Sequence, residues 1–208
     1  MPLIRNAKNA ARKIDAPDFE AASAGLRNPD ADARRGAARA LGAFPQAADV
    51  LGRAAMSERD ERVREAMFTS LARIGTEQSV LALLPHIRSD DSSRRTGAMD
   101  ALKAMPEMMA VVLLGLLGDP DADVRGLACD LVRELPSAEA TALLKDVLDT
   151  DTEINVCAAA VDVIADIGSL DALPHLRRCA SRFPDQPFLQ FAIRIALDRI
   201  GTQAPVSG

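Results

Sequence analysis

The sequence predicts an all-α protein, a single α-solenoid of about six stacked helical hairpins. Three observations predict it. Helix breakers recur at Pro45, Gly75, Pro106, Pro136, Gly168 and Gly201, at spacings of 30, 31, 30, 32 and 33 residues. The segment before each breaker repeats one apolar pattern with the helical period. Hydrophobic residues make up 48% of the 208, yet aromatics only 3%, with no Trp and no Tyr, so Ala and Leu must fill the core. A period of about 30 residues marks a repeat architecture, because one hairpin cannot bury its apolar face and stacking on neighbours does.

The elements follow in chain order. Six polar turns punctuate the chain: Asn28–Arg34, Glu58–Arg64, Ser89–Arg95, Asp119–Arg125, Asp151–Cys157 and Pro184–Gln190. Their Asp, Asn, Ser and Pro residues cap a following helix or pre-set its first φ angle. Counting from the sixth turn residue, apolar positions fall at +0, +3, +4, +7, +8 and +11, one broad helical face. The fourth copy gives Val124, Leu127, Ala128, Leu131, Val132 and Leu135, and the fifth Val156, Ala159, Ala160, Val163, Ile164 and Ile167. The first and third carry Gly36 and Gly97 at +3 but keep Leu41, Phe44, Leu102 and Met105. An earlier helix precedes each turn, as at Val80–Arg88, Met108–Leu117 and Ala140–Leu148. Residues 1–16 are basic, with Leu3, Ile4, Ala7, Ala11 and Ile14 on one helical face. They are expected to form an N-terminal capping helix rather than a targeting peptide. The solenoid is expected over 17–201, with a flexible tail at 202–208.

The D-x-D/E-x-x-V-R-like turns, best in Asp119–Arg125, are followed by A-x-x-x-L-x-x-[ILM]-[GP]. In this the chain resembles the HEAT-repeat family, in particular the short bacterial form also found in phycobilin lyases. The resemblance spans roughly Ala16 to Gly201. It implies a right-handed superhelix that binds along its concave face. It also implies that Arg34, Arg64, Arg95 and Arg125 are structural, each engaging an acid of a neighbouring turn. Cys157 and Gln190 stand where the arginine is expected, so the last two interfaces should be held differently.

Chemistry is sparse. His86 and His175 lie in matching contexts, LLPHIR and ALPHLR, without ligands at metal spacing, and are read as structural or solvent-facing. Cys129 and Cys157 are read as small buried hydrophobes; Cys179, after Arg177 and Arg178, is the more reactive candidate. Three Cys without a CxxC argue against a disulfide framework or structural zinc. There is no nucleotide-binding or hydrolase motif. No catalytic residue, metal or cofactor is therefore assigned. The longest apolar run, Met108 to Gly118, is too short to span a bilayer, and a cytoplasmic protein with no membrane partner is expected.

The final-helix surface says more. Positions +2, +6 and +9 should be exposed, which places Arg35 and Arg39, Asp100 and Lys103, Asp130 and Arg133, and Asp162 on the partner-binding concave face. Asp100, Asp130 and Asp162 fall in register as an acidic column. Charge is segregated: +3 over residues 1–16, zero over 17–106, −10 over 107–168 and +2 over 169–208. A −10 stretch attracts a basic protein surface. The overall net charge of −5 argues against a nucleic-acid binder. In the last helix Phe188, Phe191 and Ile195 point away from the core face and are expected to form an apolar contact, either a homodimer through the C-terminal repeat or a partner dock. The expected role is a non-catalytic adaptor, scaffold or assembly factor. The alternative is a lyase-like subunit that chaperones a cofactor onto its client.

Overall fold

The computed structural model describes residues 18–202, and those residues form twelve α-helices and no strand. In order they are α1 (Phe19–Gly25), α2 (Ala31–Leu41), α3 (Ala48–Ser57), α4 (Glu61–Ile74), α5 (Glu77–Ile87) and α6 (Ser92–Lys103). Then come α7 (Pro106–Leu117), α8 (Ala122–Val132), α9 (Ser137–Thr150), α10 (Ile154–Ile167), α11 (Leu173–Arg182) and α12 (Pro187–Thr202). They pair as six successive hairpins, the expected solenoid. The anticipated capping helix at 1–16 and most of the anticipated tail lie outside the described residues; Thr202 closes α12.

Side chains build each turn. Asp30, Asp60, Asp91 and Asp121 cap α2, α4, α6 and α8, each accepting first-turn backbone N–H groups. A cap of this kind contributes about 1 kcal/mol. The first turn residue braces the cap from behind. Asn28, Glu58, Ser89 and Asp119 each accept the backbone N–H two residues on, at 2.8–3.2 Å. Gly75 ends α4 in the left-handed region (φ 63°), donating its N–H to the Leu71 carbonyl at 3.1 Å. The prolines do a different job from the glycine. Pro106 is the first residue of α7 and Pro136 caps α9, so they start the next hairpin rather than stop the last.

The second helix of each hairpin is flanked by the second helices before and after it: α4 lies between α2 and α6, and α10 between α8 and α12. Three sides are therefore buried, one more than a single amphipathic hairpin would show. The additional buried positions are +5 (Ala38, Phe68, Met99, Cys129 and Val161) and, in part, +1. Phe68 at +5 faces the following repeat at +3, where Gly97 stands; a Cβ there would lie 3.0 Å from the Phe68 ring. The weak third repeat is thus weak because its neighbour's aromatic ring takes the space.

The +1 residue ties each turn to its helix. Side chains of Arg34, Arg64, Arg95 and Arg125 each donate to the carbonyl six residues earlier, on Asn28, Glu58, Ser89 and Asp119, at 2.6–3.4 Å. Cys157 keeps the register, its thiol donating to the Asp151 carbonyl at 3.5 Å. Gln190 donates instead to the Ala180 and Phe183 carbonyls at 2.7 and 2.9 Å. Three arginines also reach the next repeat's turn, as the resemblance implied: Arg34 to Glu58 (2.8 Å), Arg64 to Asp91 (3.5 Å) and Arg125 to Asp151 (2.7 Å). Arg95 does not. At that joint Arg88 of the first-helix end takes Asp119 instead.

Candidate functional site

The surface of interest is the outer side of the second helices, where the repeat places +2, +6 and +9. The structure does not leave the acidic column bare. Lys103 at +9 of α6 reaches Asp130 at +6 of α8 (2.5 Å), and Arg133 at +9 of α8 reaches Asp162 at +6 of α10 (2.9 Å). Arg133 also pairs with Asp166, and Arg199 of α12 holds the other Asp166 oxygen at 2.9 Å. A lateral ladder of alternating charge therefore runs from α6 to α12. Its cause is spacing: a long basic side chain at +9 spans the gap to the next helix one turn nearer that helix's start. Arg133 holds Asp166 below the usual carboxylate range. Asp162 remains mostly open to solvent, with 77% of its side chain exposed. Asp100 is exposed and takes no part in the ladder.

The other candidates are distributed as follows. Arg35 pairs within its own helix with Asp32 at 3.1 Å, and Arg39 is exposed. Not every +9 position is on the surface. Gly42 is buried beneath Arg73, which donates to the Gly42 carbonyl at 3.2 Å, and Ala165 is 8% exposed.

At the C-terminal end the face becomes apolar. Phe188, Phe191 and Ile195 of α12 are 73%, 53% and 40% exposed. With Ala158 and Ala165 of α10 they line a groove of about 430 Å³ between the two helices. The Arg194 guanidinium sits 5.3 Å from the centre of the Phe191 ring. The ladder ends at the groove's edge, where Asp162 and Arg199 also line it. Asp166 and Arg199, which complete this arrangement, lie at +10 in their repeats, one position beyond the stripe singled out in the sequence. Comparing +10 as well as +9 across repeats would have found them.

Histidine and cysteine are placed inside the stack or beside acids. His86 is fully buried, its ring edge-on to Phe68 at 4.8 Å, and neither ring nitrogen has a hydrogen-bond partner. His175 lies 2.9 Å from Asp149, which Arg178 also binds. Cys129, Cys157 and Cys179 are all free and buried. Burial pushes the Cys129 thiol up to about 12. Cys157 and Cys179 act on each other: their interaction, with burial, pushes the Cys157 thiol up, and the same interaction lowers Cys179 against its burial. Cys179 is thus the more acidic of the pair, yet it is sealed from solvent. Among the described residues no group of His, Cys, Asp and Glu is placed to hold a metal, and no helix is long and apolar enough to cross a membrane.

A hairpin stack of this period, with a capped D-x-D turn and an arginine bridging successive turns, defines a class of helical-repeat proteins. The family model for HEAT repeats matches residues 19–103 and 109–205, and the chain belongs to that family. No curated protein matches the chain. Solved structures similar to it include an archaeal HEAT-like repeats protein from Thermococcus onnurineus NA1, at 14% identity and a TM-score of 0.48, covering 88% of this chain and 87% of that one. A designed armadillo repeat protein matches at 16% identity and 0.40, covering 88% and 100%. The complex of CpcE and CpcF of phycocyanin lyase from Nostoc sp. PCC7120 matches at 16% and 0.40, covering 96% and 99%.

Proposed function

We propose that this HEAT-repeat chain is a non-catalytic scaffold that holds another protein along its second-helix face. One observation carries the reading: a charged ladder and an apolar groove are contiguous on one side of the stack, so a single partner surface meets both. Interfaces of this type combine a desolvated apolar centre with a polar rim. The partner side is basic, because residues 107–168 carry a net −10 with Arg133 already counted, which Lys103 and Arg199 of the ladder offset only in part. Asp100, Lys103, Asp130, Arg133 and Asp162 set its register, Arg35 and Arg39 meet its far end, and Phe188, Phe191 and Ile195 supply the apolar anchor.

The test is quantitative capture from the native host with three baits. The wild type should retain a reproducible protein partner. Reversal of Asp100, Asp130 and Asp162 to Lys should lose it while helicity by circular dichroism stays near wild type. Leu81→Lys with Leu114→Lys, on the opposite first-helix side where both are exposed, should keep it. Loss in the first-helix bait with retention in the reversed bait would overturn the reading.

A further inference from the structure

The joint between the third and fourth hairpins is built unlike the others. Helices α2, α4 and α6 pack closely in succession, and so do α8, α10 and α12; α6 and α8 touch far more sparingly. On the first-helix side α5 likewise meets α7 less than it meets α3.

The polar ties across this joint also differ. Arg34, Arg64 and Arg125 bridge the first, second and fourth joints. At the third, Arg95 stops at the Ser89 carbonyl of its own turn, 2.6 Å away. Among the described residues two side-chain ties cross it, Arg88 with Asp119 and Lys103 with Asp130. Arg88 and Asp130 each keep 43% of the side chain exposed, where Arg34, Arg64 and Arg125 keep 19%, 6% and 15%. An ion pair open to solvent holds less firmly than a buried one, and salt screens it.

The apolar filling is soft. Four of the chain's seven methionines gather here: Met99 of α6, Met105 in the connection after it, and Met108 and Met109 of α7. Met99, Met105 and Met109 are buried. Met99 stands at +5, the position that faces the following second helix; the corresponding residues are Ala38, Phe68, Cys129 and Val161. An unbranched thioether side chain refills a changing gap, which a short or a stiff one cannot do. Across the seam, Gly126 of α8 shares a cleft with Arg95, and a Cβ on Gly126 would meet nothing within 4 Å. That leaves α8 room to move toward α6.

We propose that this joint is a hinge. Hairpins one to three and hairpins four to six each move as a unit and turn about the α6–α8 seam. The Lys103–Asp130 and Arg88–Asp119 pairs are its latch. Turning changes the spacing between Asp100 of α6 and Asp162 of α10, which stand on opposite sides of the seam, and so resets the face that a partner meets. The inference rests on the joint alone, and not on what the second-helix face binds.

Distance measurements between pairs of spin labels on the full chain test it. Three pairs, each two hairpins apart and at exposed positions, are compared. Arg39→Cys with Asp100→Cys lies within the first unit, Glu134→Cys with Asp198→Cys within the second, and Asp100→Cys with Asp162→Cys crosses the seam. The native cysteines are buried and take no label. The crossing pair should give a distance distribution at least ~twofold wider than either of the others. High salt should widen it further, as should Arg88→Ala with Lys103→Ala, while the pairs within each unit stay unchanged. Circular dichroism of the latch variant should match wild type. Equal widths for the three wild-type pairs overturn the proposal. So does a crossing distribution that neither salt nor the latch variant widens.

Discussion

Arg125 and Asp151 join two repeats through one side chain. The Arg125 Nη1 donates to the Asp119 carbonyl of its own turn at 2.9 Å, while Nε and Nη2 grip the Asp151 carboxylate of the next turn at 2.7 and 3.0 Å. Only 15% and 8% of the two side chains remain exposed. Burial raises the Asp151 carboxyl, but Arg125 and the Glu153 N–H more than offset this and leave it below its usual range. Arg34 with Glu58 repeats the arrangement three hairpins earlier. The recurring arginine is therefore a rivet between repeats as well as a brace within one.

Arg125→Ala should destabilise the protein by about 2–4 kcal/mol in chemical denaturation, since it strands a mostly buried carboxylate and a turn carbonyl together. Arg125→Lys should recover only part of this, because an ammonium cannot make the two-pronged contact. Arg62→Ala is the control. Its bond to Asp60 is exposed, and the loss should stay under about 0.5 kcal/mol. Equal losses at Arg125 and Arg62 would contradict the rivet.

His86 should make the protein acid-sensitive at mild pH. Burial lowers its pKa from the ordinary 6.5; the Gly52 backbone opposes this in part, and the lesser contributions of the Arg94 and Arg64 charges add to the lowering. Below pH 6.5 the unfolded chain takes up a proton that the folded chain resists. Stability is therefore full above that pH and falls as pH drops beneath it. His86→Leu should flatten the pH dependence of the melting temperature between pH 7 and 5, a window bracketing the ordinary His pKa. An unchanged slope would show that His86 does not carry it.

At lower pH the Arg88–Asp119 joint should give way. Arg88 hydrogen-bonds Asp119 and holds its carboxyl at about 2, below the ordinary 3.8. The bond contributes stability above pH 3.8 that is lost as pH falls from there toward 2. Asp119→Asn should be less stable at neutral pH and lose less over that interval. Parallel curves for variant and wild type would rule the joint out as the acid-labile point.

The hairpins were legible because breakers and apolar spacing are local signals, repeated six times. Packing between repeats was less so. Phe68 at +5 and Arg64 at +1 look like edge positions on a single amphipathic helix, and both are buried by the adjacent helix. The sequence did reveal that Cys157 departs from the arginine pattern. It did not reveal that Arg182, one hairpin later, takes over by donating to the Leu148 and Asp151 carbonyls. That substitution is readable only in three dimensions, because the replacing group is 25 residues away. For the candidate site, the in-register Asp column was visible, while its neutralisation by Lys103 and Arg133 depends on side-chain reach across helices.

Native protein should resist thiol alkylation at neutral pH. Cys129, Cys157 and Cys179 are all fully buried, and buried thiols in apolar surroundings are inert. Mass spectrometry after brief iodoacetamide treatment should show no adduct, and three after denaturation. Modification of Cys179 in the native state would indicate opening of the last hairpin.

Site-specific photo-crosslinking in the native host tests the central claim, that the second-helix face is the binding face. A photoreactive residue is placed singly at 100, 162 and 191 on that face, and at 81, 111 and 114 on the first-helix side. The account predicts adducts to one common partner protein from positions 100 and 162, and no such adduct from 81, 111 or 114. Adducts to a common partner from the first-helix positions alone would contradict it.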